Sequence, residues 1–500
     1  MERYFRISLS FFMITFVAAV VTFSGCSSDD NPADPNPPVD TTGNNDTNTT
    51  TIDDKVRTVV FVHGFMEASD VYTQMTQLFA ANGYDEAQLQ VFDLENYFTG
   101  TTANVQAMAA QLASKIDAVL QTISDDRVDI VAHGIGVNAV QEYLVNNGGT
   151  DKLAHIVFAG GSYDLTLAVQ GDITPAPCAY MTIRSNGLDD LQNGDASYGE
   201  IAGAEHVVGT GLDNIQLVTD PAMFEEVFEF FTGTEAQATS IPNSIPGETY
   251  TIKGRVIDFI DNTPISGIYV TPITIRTLSN GEIQRQTGTQ TLETDADGYF
   301  TYTVTFGPEQ HTEFLLRSVT GSHFDMHVYC RPWRADAHTV RLRMAPRSAS
   351  GSQLLREFSS SLRTGDHSNF FVHSLNQAMQ FNDDALSITR YNPAFEQIGE
   401  VSLLTAGNAP AAGVSSVAGN TFIVAVLDYD GNQADGTGPI ATSGLNMFGL
   451  NSFDAYLAGK PANHQTQVTF NGQTIGMQNF ASNGGLGANN GGFSMAIFGY

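Results

Sequence analysis

The feature that most constrains the fold of this chain is an apolar strand that runs into a turn of small residues. The run is Val128–Ala132, and the turn after it reads His133-Gly134-Ile135-Gly136. An earlier valine-rich run, Arg57–Val62, ends in a similar turn, His63-Gly64-Phe65. Apolar runs of this length are typical of parallel strands that are buried on both faces.

Helix-forming segments separate the apolar runs. Helical periodicity covers Val71–Ala81 and Thr102–Ile123, and further short apolar runs follow at His155–Ala159 and Ala179–Arg184. Strands that alternate with helices form a parallel sheet covered by helices on both faces. The sequence therefore predicts an α/β domain with a doubly wound parallel sheet in residues 55–234.

Gly134 is the most informative residue of the second turn. In the motif Gly-x-Ser-x-Gly, a strand-to-helix turn presents a serine hydroxyl to a histidine base and to backbone amides that stabilise an oxyanion. Here glycine occupies the serine position and supplies no nucleophile. Glycine also adopts strained backbone angles without the penalty of a Cβ atom. We therefore predict a turn that keeps its shape and has lost its chemistry.

Three segments together resemble secreted lipases and esterases of the α/β-hydrolase fold: Val60–Phe65, Ala132–Gly136 and Gly203–Asn214. The resemblance implies an oxyanion hole made by the backbone amides of Phe65 and Ile135. Backbone donors survive any change of side chain, so we expect this part of the site to remain.

The resemblance also assigns the other two triad positions. The histidine position reads Asn214, which forms hydrogen bonds but does not exchange a proton near neutral pH. The acid position falls on Asp189, with Asp190 next to it as the alternative. Without a histidine to orient, either carboxylate is expected to be a solvated loop residue. The catalytic serine and histidine are thus predicted to be missing together.

The chain has other serine and histidine side chains that could replace the missing pair. Ser162 follows the strand after the turn at His133–Gly136, which is called the elbow below. It is near the sheet edge where ligands bind in such folds, but no helix N-terminus presents its hydroxyl. His206 lies in a predicted strand, and His133 precedes Gly134 at the elbow. His63 begins the turn that contains Gly64 and Phe65, which is called the oxyanion turn below. A structural role is the more common one for such histidines.

The first residues resemble a bacterial lipoprotein signal. An apolar run, Ile7–Phe23, follows two arginines and precedes Ser24-Gly25-Cys26. We predict a signal peptide over residues 1–25, lipidation of Cys26 and a flexible polar tether over 26–54. The alternative is a single membrane anchor. Either way the remaining chain is expected to be extracytoplasmic, at the outer membrane or the cell surface.

The overall charge excludes some partners. The formal net charge is -32 at pH 7, which repels nucleic acids and anionic lipid headgroups from the bulk surface. Membrane attachment is expected through the lipidated Cys26. Cys178 and Cys330 fall in different predicted domains, and they are expected either as two buried thiols or as an interdomain disulfide.

Two β-rich regions follow a linker at 235–247. Residues 248–346 alternate β-formers with turn residues and resemble the carboxypeptidase-regulatory-like, prealbumin-type β-sandwich. Residues 347–500 are predicted to form a second β-sandwich or a jelly roll. The order of the three domains is similar to that of archaeal and bacterial lipases whose C-terminal β-domain helps to bind long acyl chains.

Two acidic segments are candidate metal sites, and no other cofactor is expected. Asp295 and Asp297 precede a glycine. They are interpreted as part of a hairpin turn in preference to a metal site. Asp428, Asp430 and Asp435 provide oxygen ligands at short spacing, so calcium is possible there, although a hairpin tip explains the composition equally well.

Three functions are consistent with these features. The first is a lipid-anchored, catalytically degenerate hydrolase that binds a lipid, an acyl ester or a polyester. The second is an active carboxylic-ester hydrolase with a rewired site, because an oxyanion hole gives some catalysis without a triad. The third is a structural or adhesive surface lipoprotein. The oligomeric state stays open.

Overall fold

The computed structural model of the protein describes the following residues: 56–65, 67–95, 102–147, 149–161, 178–186, 203–241, 244–286, 290–347, 366–380, 383–406, 422–428, 440–441, 450–456, 464–478, 482–483 and 493–500. The predicted signal peptide, Cys26 and the tether lie outside these residues. In the described part, no helix has both the length and the apolar character that crossing a membrane requires.

A six-stranded parallel sheet forms the first part of the chain. Its strands are β1 (Val59–Val62), β2 (Leu89–Phe92), β3 (Val128–His133), β4 (Leu153–Ala159), β5 (Ala179–Ser185) and β6 (Glu205–Gly209). They stand in the order β2-β1-β3-β4-β5-β6, and every neighbouring pair is parallel. The helices are α1 (Thr73–Ala81), α2 (Thr102–Leu120), α3 (Ile135–Asn146) and α4 (Pro221–Thr232). The predicted α/β domain is confirmed.

The valine-rich strands are buried on both sides because helices cover each face. Val60 and Val62 pack in one hydrophobic cluster with residues of α2 and α3. Val59 and Phe61 point the other way and pack with residues of α1 and α4. This is the two-residue period of a strand inserted between two helical layers. The carboxyl ends of the strands therefore meet at one edge, where the two glycine turns lie.

The remaining strands form sheets that are either antiparallel or mixed. Between residues 249 and 344 they are β7 (Thr249–Asp258), β8 (Ile268–Thr277), β9 (Ile283–Arg285), β10 (Leu292–Glu293), β11 (Tyr299–Thr305), β12 (Gln310–Ser318), β13 (Met326–Cys330) and β14 (Ala337–Met344). Beyond them are β15 (Asp366–Ser374), β16 (Leu386–Tyr391), β17 (Gln397–Leu404), β18 (Phe422–Asp428), β19 (Ile440–Ala441), β20 (Leu450–Tyr456), β21 (Gln465–Phe470), β22 (Gln473–Gln478), β23 (Ser482–Asn483) and β24 (Phe493–Phe498).

One sheet continues across the boundary predicted at 346/347. The last strand, β24, lies between β13 and β15 and is parallel to both. Both edges of β24 are therefore occupied, and its apolar residues are buried on both faces. An unpaired β13 would expose a hydrophobic sheet edge, which β24 covers. The two predicted β-domains are thus joined in one structure, called the β-body here (residues 249–500).

Buried ion pairs join the β-body to the parallel sheet. Asp93, directly after β2, accepts hydrogen bonds from Arg341 at 2.7 Å and from Arg255 at 3.0 Å. Asp70 forms a two-pronged pair with Arg343, at 2.7 and 2.9 Å. All five side chains are buried. These residues are called the arginine clamp below.

The two cysteines beyond the tether do not form a disulfide. Cys330 is buried in β13, and Cys178 is half-buried with its thiol 3.2 Å from the hydroxyl of Tyr180. Both are free thiols. The disulfide alternative is therefore wrong, because the two side chains lie in separate hydrophobic clusters.

Candidate functional site

The turn after β3 has the backbone geometry of a nucleophile elbow. Gly134 has φ 52° and ψ −123°, a left-handed conformation that favours glycine, and α3 begins at the next residue. Gly136 allows α3 to pack closely on β1, since a Cβ there would lie 2.7 Å from the carbonyl oxygens of Val62 and His63. The two glycines therefore set the turn and its approach to the sheet.

The other glycine turn lies directly beside the elbow. A Cβ atom on Gly134 would lie 3.1 Å from the Cα of Gly64 and 3.6 Å from the backbone nitrogen of Phe65. Phe65, Gly134 and Ile135 are each partly exposed. A side chain at position 134 would thus extend past the Phe65 amide. The structure brings the predicted oxyanion turn and the predicted elbow together.

We expect Gly134→Ser to lower the free energy of unfolding by about 1–3 kcal/mol, because serine would occupy a strained left-handed conformation. Gly83→Ser is the matched control, since Gly83 has φ 96° and open space around its Cβ position. Urea unfolding of both variants measures the difference. The contact with Gly64 adds to the strain at position 134, so an effect smaller than that of Gly83→Ser would contradict this geometry.

His133 is committed to two acceptors beneath the elbow. Its Nδ1 lies 2.9 Å from the Glu67 carboxylate, and its Nε2 lies 3.0 Å from the backbone oxygen of Asn214. Burial lowers the pKa of His133, but the adjacent Glu67 carboxylate more than reverses this and leaves the pKa raised. An imidazole between two acceptors is satisfied as an imidazolium. The prediction that His133 is structural agrees with these contacts.

Glu67 also shapes the oxyanion turn. The same carboxylate oxygen that faces His133 accepts a hydrogen bond from the amide of Gly64 at 2.6 Å. Glu67 is buried, and its partners lie on two different turns. It therefore ties the oxyanion turn to the residue before the elbow. Sequence reasoning missed Glu67, since nothing in its local pattern marks it.

Asn214 lies in the loop after β6, at the position that the resemblance assigns to histidine. Its side-chain nitrogen donates to the backbone oxygen of Gly160 at 3.1 Å, and its own backbone oxygen faces His133. The loop is thus held beside the elbow through backbone and amide groups. The amide of Asn214 is engaged with the chain and provides no proton acceptor of the kind a histidine ring supplies.

Asp213, the neighbour of Asn214, joins this loop to the β-body. Its carboxylate accepts hydrogen bonds from the amides of Gln216 at 2.9 Å and Ala378 at 3.0 Å. Burial raises the pKa of Asp213 to about 7, although these hydrogen bonds oppose the shift. The sequence showed Asp213 only as part of the loop motif, and its role in the interface was not predicted.

Asp213 should make stability depend on pH. The pKa of Asp213 is raised in the folded protein. At low pH the carboxyl group is protonated in both the folded and the unfolded protein, so it does not lower the free energy of unfolding. Stability then falls as the pH rises from the unfolded to the folded pKa value. We expect Asp213→Asn to reduce the loss of unfolding free energy between about pH 4 and about pH 7. The exposed Asp126→Asn is the control. An unchanged pH slope in Asp213→Asn would contradict the shift.

The remaining predicted residues are placed as follows. His63 is buried, its Nε2 accepts a hydrogen bond from the Leu94 amide at 2.8 Å, and burial lowers its pKa. His206 lies in β6 beside the hydroxyl of Thr182, at 2.7 Å. Asp295 accepts from the amides of residues 297 and 299, as a hairpin turn requires.

Several predicted residues are outside the described part of the chain. They are Ser162, Asp189, Asp190, Asp430, Asp435 and the side chain of Asp428. Among the residues that are described, no three histidine, cysteine, aspartate or glutamate side chains are grouped as a metal site.

Parts of this chain are similar to known proteins. Residues 53–156 match a family model described as "Putative serine esterase (DUF676)". Among solved structures, lipase B of Aspergillus fumigatus is similar at 11% identity and a TM-score of 0.30, over 37% of this chain and 54% of that one. A serine hydrolase homologue from Coxiella burnetii gives 15% identity and a TM-score of 0.25, over 36% and 85%. A Bacillus licheniformis lipase in propeptide form gives 12% identity and a TM-score of 0.26, over 85% and 94%.

The match to the family model covers the segment that contains both glycine turns. This chain spans about half of the Aspergillus lipase, and the structural likenesses are low. The assignment therefore rests on the family model, the parallel sheet order and the elbow backbone. On these grounds the first part of the chain has an α/β-hydrolase-like fold, and residues 53–156 within it are similar to a family of putative serine esterases.

Proposed function

We propose that this protein is a catalytically degenerate lipase-like hydrolase that binds the carbonyl or carboxylate end of an acyl ligand without cleaving it. The observation that supports the proposal most is the presence of glycine at position 134. The backbone there has the elbow conformation and lies beside the Phe65 amide, but glycine provides no nucleophile side chain. In the proposed complex, a ligand oxygen takes the place of the missing serine hydroxyl.

The chemistry of the neighbouring groups supports binding without turnover. The amides of Phe65 and Ile135 are backbone donors of the kind that stabilise an oxyanion, and Ile135 is the first residue of α3, where the helix dipole also favours negative charge. His133 holds its proton between Glu67 and Asn214, so it does not act as a general base. A carboxylate or an ester carbonyl suits such a site.

The proposal includes the place of the protein in the cell. Lipidation of Cys26 and a polar tether would hold the hydrolase domain and the β-body at the outer membrane or the cell surface. A site for acyl groups is useful there, close to lipids. Mass spectrometry of the protein from its native membrane tests this part: we expect a diacylglyceryl modification at Cys26, and an unmodified Cys26 in a mature chain would contradict it.

Calorimetry with sodium laurate tests the binding proposal. We expect laurate to bind the unmodified protein, and Gly134→Ala to weaken binding about tenfold because its methyl group enters the space in front of the Phe65 amide. Gly83→Ala is the control, since Gly83 also has a positive φ (96°) and a Cβ atom there meets no other residue. No binding of laurate or of methyl laurate to the unmodified protein would favour the architectural function instead.

A second candidate, ester hydrolysis elsewhere in the chain, is favoured by one observation. The Ser322 hydroxyl lies 2.9 Å from Nδ1 of His323, and Nε2 of His323 lies 3.2 Å from the Asp258 carboxylate. This is the hydrogen-bond order of a triad. Ser322 and His323 are adjacent on a turn, however, and Thr320 also donates to Ser322. Fluorophosphonate labelling at Ser322 would support this candidate, and its absence would remove it.

A further inference from the structure

The turn that follows β7 in the β-body reaches into the hydrolase domain. Asn262 is fully buried and has φ 59°, a left-handed conformation that asparagine tolerates better than most residues. The carboxylates of Asp258 and Asp261 hold the turn by accepting from the amides of Ile260 at 2.7 Å and Thr263 at 2.9 Å. The turn is thus fixed by its own residues, and it presents Asn262 in one orientation.

Asn262 bridges the two ends of the oxyanion turn. Its side-chain nitrogen donates to the backbone oxygen of Glu67 at 2.8 Å and lies 3.4 Å from Nε2 of His63. Gly64 and Phe65 are between these two residues. The Phe65 side chain packs against the hydrophobic clusters of both the hydrolase domain and the β-body. The oxyanion turn is therefore held on its outer side by the β-body.

A purely conformational role would not require asparagine. Glycine adopts the same left-handed backbone at less cost. Asn262 instead buries a side-chain oxygen that has no hydrogen-bond partner among the described residues, and burying a polar group in that state destabilises the folded protein. The side-chain donor, and not the backbone angle, is what asparagine adds here.

We propose that Asn262 is a positioning residue that fixes the Phe65 amide in the oxyanion turn, so that the candidate site is complete only when the β-body is docked. The ligand part of this inference rests on the proposed function, and the positioning part does not. Asn262 acts on the turn through the Glu67 carbonyl, while Glu67 itself holds the Gly64 amide from the other side.

Hydrogen exchange and laurate calorimetry on the full chain test this proposal. Asn262→Gly keeps the left-handed backbone and removes the donor, and Asn262→Asp keeps the shape and places an oxygen against the Glu67 carbonyl. The control is Asn471→Gly, because Asn471 also has positive φ (47°) and its side-chain nitrogen donates a hydrogen bond to Asp384, within the β-body and away from the oxyanion turn. We expect both Asn262 variants to speed exchange of the peptide that carries Gly64 and Phe65 about tenfold, and to weaken laurate binding, with no such change in the control.

Each outcome separates the two claims. Faster exchange confined to the oxyanion turn supports positioning even where laurate binds none of the proteins, in which case only the proposed function fails. Exchange at the turn that is unchanged in both Asn262 variants overturns the inference. Exchange that rises equally across the parallel sheet also overturns it, because that result shows a loss of global stability alone.

Discussion

Asp93→Asn is expected to be the most destabilising single substitution at the interface, lowering the free energy of unfolding by about 3–5 kcal/mol. Burial alone would raise the pKa of the Asp93 carboxyl, but Arg341 and Arg255 hold it well below its usual range. Asparagine would leave two buried guanidinium groups without their counter-charge. Breaking a buried ion pair on one side costs far more than the pair contributes as a whole.

Urea unfolding of Asp93→Asn against Asp117→Asn measures this effect. Asp117 also pairs with a cation, Lys152, but both side chains are substantially exposed, so its loss should cost less than about 1 kcal/mol. The pKa of Asp93 is depressed in the folded protein. The stabilisation that Asp93 provides is therefore present at a pH above the pKa of this carboxyl in the unfolded chain, and it is lost as the pH falls far below that value. Similar losses of unfolding free energy in the two variants would show that the ion pairs of Asp93 in the arginine clamp are not closed and buried.

Glu67→Gln is expected to have the second largest effect, about 3 kcal/mol below neutral pH, and that effect should shrink as the pH rises. The substitution removes the counter-charge of the buried His133 imidazolium and disturbs the acceptor of the Gly64 amide. The pKa of His133 is raised in the folded protein. The ion pair with Glu67 therefore stabilises the fold fully at a pH below the pKa of this histidine in the unfolded chain. The contribution is lost as the pH rises through the pKa of His133 in the folded protein.

Glu142→Gln is the control for this pH dependence. Glu142 is a buried glutamate on α3 that accepts a hydrogen bond from Asn146, with no histidine among the partners in the described structure. Thermal unfolding of both variants across the neutral range should show a pH-dependent loss only for Glu67→Gln. A loss of equal size at every pH would mean that His133 is uncharged in the folded protein.

The parallel sheet and the elbow could be predicted because their signals are local. Valine-rich runs gave the positions of β1 and β3, and the glycine at 134 indicated a turn that needs a left-handed residue. The oxyanion turn was found beside the elbow for the same reason, since both follow neighbouring parallel strands. These features depend on residues that are close in sequence or fixed by sheet order.

The interface could not be predicted because its partners are far apart in the chain. Asn262 meets the Glu67 carbonyl and Arg341 meets Asp93 across well over a hundred residues. Arg341 and Arg343 alternate with apolar residues, a pattern typical of a strand with one face in water. In the structure that polar face is buried, because Asp70 and Asp93 neutralise it. A local pattern does not reveal such a partner.

The most direct test of the account is the hydrolysis of nitrophenyl esters, from short to long acyl chains, by the unmodified protein and by the double variant Gly134→Ser, Asn214→His. We expect no turnover above a denatured control from the unmodified protein, and measurable turnover from the double variant, because the elbow and the Phe65 amide are already in place. Turnover by the unmodified protein that survives Ser322→Ala would contradict the proposal that the site is degenerate, since it would require another nucleophile.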